Sequence, residues 1–521
     1  MRRFAPSLLS TWLLACGSGE TRVDVTLHAE AGLASRARVL SLRVHDGDGH
    51  LALDEAVPLG PGGESMPLSV RLLPRTATRT DGFSLVARLR GDAGETLATV
   101  VARSSYLPGA PATLDLWFED SCAHVTCGPG ETCSDGTCVG GCFESVDDGS
   151  RRRAVPVPCL AVSDVYVDAE RGRDDPEACV APESPCASLR YALSSYVSPG
   201  TGTTVHLHGE QEHAGPIVLG PRHSGAAGTP TTLTPWAGTG TPVLRAGVAG
   251  PTLVTCCEDA GPHDLVVEGL DLPGGPAGAP VVDVAGGHDL TLRDLRVHEV
   301  VPPEAPPFVG AIQVRGGVTD VEVADARLVE VERGVVGIWI ENASDVTVLN
   351  VDFAHPRGDL AVLALDARRV TLHGNRTEGG RGGFLLDGVN HRITQNRFCR
   401  ERSAGVRLGP SRGVVIEHNS FARTLSGVSV DRRATDVTVR SNIFSRVGNR
   451  ALELWRYEAP ETESHNLFHD VGGFLPSSFE ATEGLFDVDP RFVDVESCDL
   501  QLREDSPAHG RAHDGGTIGA D

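Results

Sequence analysis

The stretch Val437-Thr438-Val439-Arg440-Ser441-Asn442-Ile443-Phe444 decides the fold, because its pattern returns through the second half of the chain. The pattern is apolar, any, apolar, two further residues, asparagine, any and phenylalanine. Good copies are Val370-Thr371-Leu372-His373-Gly374-Asn375, His391-Arg392-Ile393-Thr394-Gln395-Asn396-Arg397-Phe398 and Val414-Val415-Ile416-Glu417-His418-Asn419-Ser420-Phe421. Weaker copies begin at Leu265, Leu290, Val321 and Val346, and a late one survives as Asn466-Leu467-Phe468.

The copies are spaced mostly 21 to 25 residues apart, which predicts a solenoid of stacked coils. A leucine-rich repeat is excluded, because the helical half of that repeat is missing. Asparagine at one fixed place predicts left-handed backbone at a tight bend and side-chain amides that bond from coil to coil. We therefore expect a ladder of Asn375, Asn396, Asn419 and Asn442, with the phenylalanines stacked inside.

A second strand repeats in step with the first, as in Gly383-Phe384-Leu385-Leu386 and Gly405-Val406-Arg407-Leu408. Before the coils, Ser188 to Tyr196 has the pattern of a short amphipathic helix, and we expect it to cap the open end of the stack.

The first part of the chain has a different organisation. Residues 22–120 contain short runs of alternating apolar and polar residues, which predict a small antiparallel β-sandwich. Residues 121–160 are a disulfide-rich spacer that resembles an EGF-like fragment. Its cysteines are Cys122, Cys127, Cys133, Cys138, Cys142 and Cys159. Zinc is the rival interpretation, but no histidine pair completes a site, so disulfides are predicted.

The N-terminus carries an export signal. Arg2 and Arg3 precede an apolar run that is too short to cross a membrane, and the run ends in Leu13-Leu14-Ala15-Cys16. These residues resemble a bacterial lipobox, which implies that residues 1–16 are a signal peptide and that Cys16 is lipidated. Gly17 favours anchoring in an outer membrane. Without Cys16 an even number of cysteines remains, which is typical of an exported, disulfide-bonded chain.

Composition excludes two classes of function. A net charge of −24 argues against a nucleic-acid partner, because phosphate binding needs a basic face. The chain has no lysine, so every basic residue is arginine, and an enzyme with a lysine base is excluded.

Residues from about 160 onward resemble right-handed parallel β-helix proteins of the pectin-lyase-like superfamily. The resemblance rests on the asparagine ladder, the coil length, the opening Tyr166-Val167-Asp168 and the ending Asp489-Pro490-Arg491-Phe492-Val493-Asp494. The predicted fold class is therefore all-β: a right-handed parallel β-helix over residues 161–521, preceded by the β-sandwich and the disulfide-rich spacer. The fold hosts lyases, hydrolases, adhesins and stalks, so it does not settle function.

The resemblance implies a carbohydrate face along the second strand. Its outward positions are predicted as Trp339, Ala364, Leu385, Arg407, Ser429 and Glu453, and one step beyond lie Glu341, Asp366, Asp387, Gly409, Asp431 and Trp455. The candidate catalytic or glycan-binding residues are Trp339, Glu341, Asp366, Asp387, Arg407, Asp431 and Glu453.

Several chemistries fit these residues. Coils stack about 4.8 Å apart. Asp366 and Asp387 on adjacent coils would have the spacing of a retaining glycosidase pair, and Asp387 and Asp431 would approach the inverting spacing. Calcium bound by the same acids is an alternative, and so is Arg407 as the base, by resemblance to the similar calcium-dependent pectate lyases. Alternatively, the acids are ordinary turn residues without a function.

Three functional hypotheses remain open. The leading one is a lipid-anchored envelope protein, not an enzyme, whose β-helix binds a polysaccharide or a cell-surface partner. The second is a glycoside hydrolase or an arginine-base lyase, and the third is a structural stalk. No metal site is assigned, calcium is the one cofactor considered, and we expect a monomer that contacts the membrane through its lipid alone.

Overall fold

The computed structural model contains two compact units, residues 1–159 and 160–521. It describes residues 22–45, 51–60, 62–74, 82–105, 111–125, 127, 131–134, 136–140, 142–147, 152–157, 162–174, 179–197, 200–246, 250–255, 261–275, 278–302, 308–329, 332–354, 358–454, 462–473 and 483–520. The predicted signal peptide, Cys16 and Trp455 lie outside these residues. In the described part of the chain, no helix is long and apolar enough to cross a membrane.

The first unit is built on one nine-stranded sheet. Its strands in chain order are β1 (Arg22–Ala29), β2 (Val39–His45), β3 (Leu51–Pro58), β4 (Leu68–Leu72), β5 (Gly82–Arg90), β6 (Thr96–Ser105), β7 (Pro111–Phe118), β8 (Glu131–Ser134), β9 (Thr137–Gly140), β10 (Cys142–Asp147) and β11 (Arg152–Val157). The sheet order is β3-β2-β5-β6-β10-β11-β7-β1-β4, with β1 and β7 parallel, while β8 and β9 form a separate hairpin. The alternating runs bury one face each, as in β1, where Val23, Val25 and Leu27 are inside. Short helices occupy Ala31–Arg36 and Asp120–Cys122.

The described residues contain four disulfide bonds. Cys122 pairs with Cys133, Cys127 with Cys138, Cys179 with Cys186, and Cys399 with Cys498. The side chains of Cys142 and Cys159 lie outside the described part. The prediction of disulfide bonds is confirmed, and bridges of this kind indicate an exported, non-cytoplasmic protein.

The second unit confirms the predicted β-helix, whose coils each contribute strands to three parallel sheets. Sheet 1 consists of Asp164–Val167, Thr204–Leu207, Thr231–Pro235, His263–Glu268, His288–Arg293, Thr319–Ala324, Ser344–Leu349, Thr371–His373, Arg392–Thr394, the end of Ala404–Glu417, Thr435–Arg440 and Thr462–Ser464. Sheet 2 consists of Glu212–Gly215, Val243–Ala246, Asp271–Pro273, Arg296–His298, Arg327–Val329, Asp352–Ala354, Arg376–Glu378, Arg397–Cys399, Ser420–Ala422, Ile443–Ser445, Leu467–His469 and Leu485–Phe486. Sheet 3 consists of Ile217–Leu219, Leu253–Thr255, Val282–Val284, Val309–Arg315, Val335–Glu341, Leu360–Arg368, Gly382–Val389, the start of Ala404–Glu417, Ser426–Val430 and Leu452–Leu454.

The asparagine ladder stands between sheets 1 and 2. The side-chain amide of Asn396 donates to Oδ1 of Asn419 at 2.9 Å, and that of Asn419 donates to Oδ1 of Asn442 at 3.0 Å. The expectation of left-handed backbone at the asparagines is wrong, because the residue just before each one takes that conformation, as His418 does with φ 55°. Each asparagine is fully buried and bonds along the stack, while its neighbour makes the bend.

Phenylalanines two residues after the ladder fill the interior. The rings of Phe398, Phe421 and Phe444 stack at centroid distances of 4.7 and 4.9 Å. Glycines begin the sheet 3 strands because a Cβ on Gly405 would lie 2.5 Å from the Phe421 ring. The repeat in sheet 3 is therefore coupled to the repeat in sheet 2.

Short elements precede and follow the coils: a helix packs on the first coils, and a hairpin lies against the side of sheet 2. The predicted helix is confirmed at Leu189–Tyr196, where the Ser188 hydroxyl accepts a hydrogen bond from the N–H of Tyr191 and Leu193 packs into the core. A single turn of 3-10 helix occupies Pro221–His223. After the coils, Phe492–Asp494 and Asp499–Leu502 form a hairpin that the Cys399–Cys498 bond ties to sheet 2.

Candidate functional site

The outward row of sheet 3 runs in unbroken register across six coils. It consists of Trp339, Leu363, Leu385, Arg407, Ser429 and Glu453. Ala364 was expected in this row, but Leu363 takes its place in the register; Ala364 is fully buried, and Leu363 is buried with only 8% of its surface exposed. The predicted position was wrong by one residue for two reasons. This strand has Ala361 where most others have the glycine that marks the start of the motif, and its pairing is interrupted by a bulge between Ala364 and Ala367.

Along this row, three apolar side chains are followed by three polar or charged ones. Trp339 is partly exposed, and its indole Nε1 is buried without a hydrogen-bond partner. Arg407 is exposed and forms no ion pair with any described residue, whereas Ser429 is buried and Glu453 is partly exposed. The row therefore offers two kinds of contact, the partly exposed apolar side chains of Trp339 and Leu385 followed by the exposed cation of Arg407.

Beside this row, the structure brings three of the predicted carboxylates together. Asp366 is exposed in the bulge, in left-handed backbone with φ 50°, and interacts electrostatically with Asp387 on the next coil. Asp431 lies two coils beyond Asp387 and also acts on it. Glu341 is not part of this group, because it pairs across from Leu365 and faces Arg315.

The pKa values of the Asp387 and Asp431 carboxyl groups are shifted in opposite directions. Burial raises the pKa of Asp387, and the negative charge of Asp366 raises it further. The pKa of Asp431 is lowered, first because the backbone N–H of Arg433 donates to it at 2.9 Å and then because the Arg433 guanidinium contacts it at 3.1 Å. One acid is thus biased toward its protonated form and the other toward its charged form.

His391 was missed by the sequence analysis, although it supports Asp387 from inside the helix. The backbone N–H of Val370 donates to Nδ1 of His391, so the proton of a neutral ring lies on Nε2, which donates to the carbonyl of Asp387 at 3.3 Å. Burial lowers the pKa of His391 to about 4, which keeps the ring neutral. The available signal was a histidine at the first apolar position of the repeat, where the other good copies have valine.

An aromatic cluster on the first coils was also missed. Tyr166 stacks on His206 at 4.8 Å, and Trp236 lies 5.1 Å from Tyr166 and 5.5 Å from His208. Asp168, Arg171 and Glu183 line the same shallow concavity. In the same region, Nε2 of His206 lies 2.9 Å from Oδ1 of Asp164, and Nε2 of His213 lies 3.0 Å from the carbonyl oxygen of His208.

Metal-ligand geometry occurs elsewhere on the β-helix. Within the described residues, the one group of three whose ligand atoms approach one another closely is His418, His513 and Asp514, all within 4.8 Å. The acidic residues beside sheet 3 do not form such a group.

A comparison with models of known protein families finds a match over part of the coils. Residues 334–475 match the family model described as the right handed beta helix region. A search of curated proteins finds no match.

Several solved structures are similar at low identity. They include the mannuronan C-5 epimerase A-module of Azotobacter vinelandii (13% identity over 54% of this chain and 90% of that one, TM-score 0.38) and the catalytic unit of the α-1,3-glucanase of Streptomyces thermodiastaticus (10% identity over 87% of each chain, TM-score 0.40). A surface adhesin of Streptococcus pneumoniae is also similar (10% identity over 55% of this chain and 83% of that one, TM-score 0.24). Similarity at this level carries no inference about the site. The stacked coils and the matched model together show that the C-terminal unit folds as a right-handed parallel β-helix.

Proposed function

We propose that this protein is an envelope protein, anchored by a lipid on Cys16, whose β-helix binds a polysaccharide along the outer surface of sheet 3. The observation that carries the proposal is the position of Arg407. Its exposed guanidinium lies on the coil between that of Asp387 and that of Asp431, in one row with the partly exposed side chains of Leu385 and Trp339.

This arrangement suits a chain of sugars. Sugar rings present apolar C–H faces, which pack on tryptophan and leucine, and hydroxyl groups, which bond to carboxylates and guanidinium groups. The row spans six coils at about 4.8 Å each, roughly 24 Å end to end, which accommodates several sugar units. A solenoid gives such an extended surface without a deep pocket.

The proposal predicts that Arg407→Ala weakens retention on the bound polysaccharide by roughly tenfold or more, because a hydrogen bond to a charged group contributes about 1.5–3 kcal/mol. Arg412→Ala is the matched control: Arg412 is also exposed and lies on the same strand, Ala404–Glu417, but in the part that belongs to sheet 1, where it pairs with Asp436. Affinity electrophoresis of both variants is the measurement. Equal losses in both variants, or none in Arg407→Ala, would contradict binding at this surface.

A second candidate function is a glycan-cleaving enzyme on the same surface, and the opposite pKa shifts of Asp387 and Asp431 favour it. An acid biased toward protonation and a charged carboxylate two coils away, at about 9.6 Å, are the two roles of an inverting hydrolase. Asp387→Asn would then abolish turnover. Asp320→Asn is its control, since Asp320 is an exposed aspartate of sheet 1.

A further inference from the structure

The end of the chain is fixed against the coils by specific contacts. Ile518, Ala508 and Ala512 pack with Ile443 and Leu467 in a small apolar core outside sheet 2. The N–H of Gly519 donates to the carbonyl of Ser441 at 2.9 Å, and that of Ala520 donates to the hydroxyl of Ser420 at 3.0 Å. Residues 505–520, here called the tail, therefore lie along the corner beside the asparagine ladder.

Where the tail crosses this corner, two histidines and an aspartate meet. His418 comes from the coil, and His513 and Asp514 come from the tail. Nε2 of His418 lies 3.4 Å from Oδ2 of Asp514, and the two imidazole rings lie 5.5 Å apart. One ligand atom from each of the three residues falls within 4.8 Å of the others.

The hydrogen bond on the other side of His418 determines which nitrogen is free. Its Nδ1 lies 2.8 Å from the carbonyl oxygen of Thr517, which accepts hydrogen bonds and cannot donate them, so Nδ1 carries a proton. In a neutral ring, Nε2 then presents a lone pair to the Asp514 carboxylate. A lone pair facing a carboxylate at 3.4 Å is repulsive unless a cation lies between them or the ring is itself charged.

The same arrangement is typical of metal-binding histidines. Such a histidine almost always donates its second N–H to a carbonyl or carboxylate, which orients the ring. The ring of His513 is also oriented by a hydrogen bond, since its Nδ1 lies 2.9 Å from the hydroxyl of Ser441, which can donate or accept. In Asp514, Oδ1 accepts from the N–H of Gly516 at 2.9 Å, which leaves Oδ2 directed at His418.

The distances suit zinc. Zinc binds histidine nitrogen and carboxylate oxygen at about 2.0–2.2 Å, so two ligands of a tetrahedral ion are about 3.4 Å apart, as Nε2 of His418 and Oδ2 of Asp514 are. The ligand atom of His513 lies within 4.8 Å of the other two and would have to approach by up to about 1.4 Å. The nearby Glu417 is already held by Arg392 and Arg440, at 2.6 and 2.9 Å, and is not needed as a ligand.

We propose that His418, His513 and Asp514 bind one zinc-class divalent cation and that this cation fastens the tail to the coils. Three protein ligands leave a coordination position for water. The site is independent of the polysaccharide surface, which lies on sheet 3.

The test is a calorimetric zinc titration of the whole chain, prepared without a histidine tag and stripped with a chelator. We expect one equivalent to bind. Each of His418→Ala, His513→Ala and Asp514→Asn should lower the affinity at least tenfold, the minimum expected when a ligand is removed. Asp514 is half exposed, so Asp514→Asn tests the site without endangering the fold. Cobalt, used as a spectroscopic substitute, should give visible absorption bands that these variants lose.

His288→Ala is the matched control, because His288 and Asp289 form an exposed histidine–aspartate pair without a third ligand. Zinc should also slow hydrogen exchange in residues 508–520, which a surface-bound ion would not do. Failure of the unmodified protein to bind more zinc than its Asp514→Asn variant would overturn the proposal, and would leave a charged His418 paired with Asp514. Unchanged exchange in the tail on saturation would overturn the fastening role.

Discussion

At the scale of single residues, the molecule relies on polar side chains that are buried and held by specific partners. Asn419 is the clearest case. Its Oδ1 accepts from the backbone N–H and the side-chain amide of Asn396, both at 2.9 Å, and its own amide donates to the carbonyls of Ile393 and Glu417. Such a group stabilises only when every partner is present, because an unpaired buried donor or acceptor is costly.

Asn419→Ala is therefore expected to lower the free energy of unfolding by about 3 kcal/mol, since it leaves several buried groups unpaired. Urea unfolding followed by circular dichroism gives the value. Asn449→Ala, at an exposed position on the same stack, should change it by less than about 0.5 kcal/mol. Similar losses in the two variants would show that the ladder does not hold the coils together.

Glu401 gives a pH-dependent prediction. It is buried, and this burial raises its pKa to about 7 from a usual value of 4.5. Between these two values the folded protein keeps a proton that the unfolded chain releases. The free energy of unfolding should therefore fall as the pH rises through this window, by up to about 3 kcal/mol.

Glu401→Gln removes this titration. We expect it to stabilise the protein at pH 8 and to change little at pH 4.5, as measured by urea unfolding at both values. Glu504→Gln, at an exposed position just before the tail, is the control. An equal effect of Glu401→Gln at the two pH values would contradict the assignment of a buried, proton-retaining carboxyl.

At the scale of elements, neighbouring coils are held together by the packing of their side chains. The hairpin that precedes the tail is held to the coils by a disulfide bond and by ion pairs. The Cys399–Cys498 disulfide joins residues 99 apart in the sequence. Beside it, Glu496 contacts three arginines on successive coils, Arg400, Arg423 and Arg446. The hairpin at Phe492–Leu502 is thus held where the tail begins its return along sheet 2.

Replacing both cysteines, as Cys399→Ser with Cys498→Ser, is expected to lower the free energy of unfolding by about 4 kcal/mol, because the bond closes a long loop. Hydrogen exchange should accelerate in residues 489–520. The Cys179–Cys186 bond closes a separation of only 7 residues. Its removal, as Cys179→Ser with Cys186→Ser, should leave hydrogen exchange in the tail unchanged. If the first double variant leaves the tail equally protected, its packing alone holds it.

How far the sequence predicts these elements depends on whether the signal is repeated. The strands of the ladder repeat could be aligned because Asn375, Asn396 and Asn419 mark them at regular intervals. The outward row was displaced by one residue at Ala364, where the glycine marker is absent and a bulge follows. His391 and the corner formed by His418 with His513 depend on contacts between distant residues, which no local pattern reports.

At the scale of the whole molecule, the stack of coils places apolar side chains, the exposed Arg407 and two aspartates on one outer surface. The pKa values of these aspartates, Asp387 and Asp431, are shifted in opposite directions. The acids were identifiable from the sequence because they follow the same repeated strand. Their opposite pKa shifts were not, because burial and the Arg433 contact decide them. The side chains on this surface are sufficient for binding a polysaccharide. Cleavage requires, in addition, that the carboxyl groups of Asp387 and Asp431 both approach the same glycosidic bond.

The most direct measurement of the central claim is a panel of polysaccharides tested with the purified protein, with and without calcium. Retention, new reducing ends and unsaturated products are followed in each sample. We expect retention on at least one polysaccharide, without product, and the loss of this retention in Arg407→Ala. Product in any sample would replace the binding function with an enzyme, and unsaturation would identify a lyase. Neither retention nor product on any polysaccharide would contradict the account and leave a structural stalk.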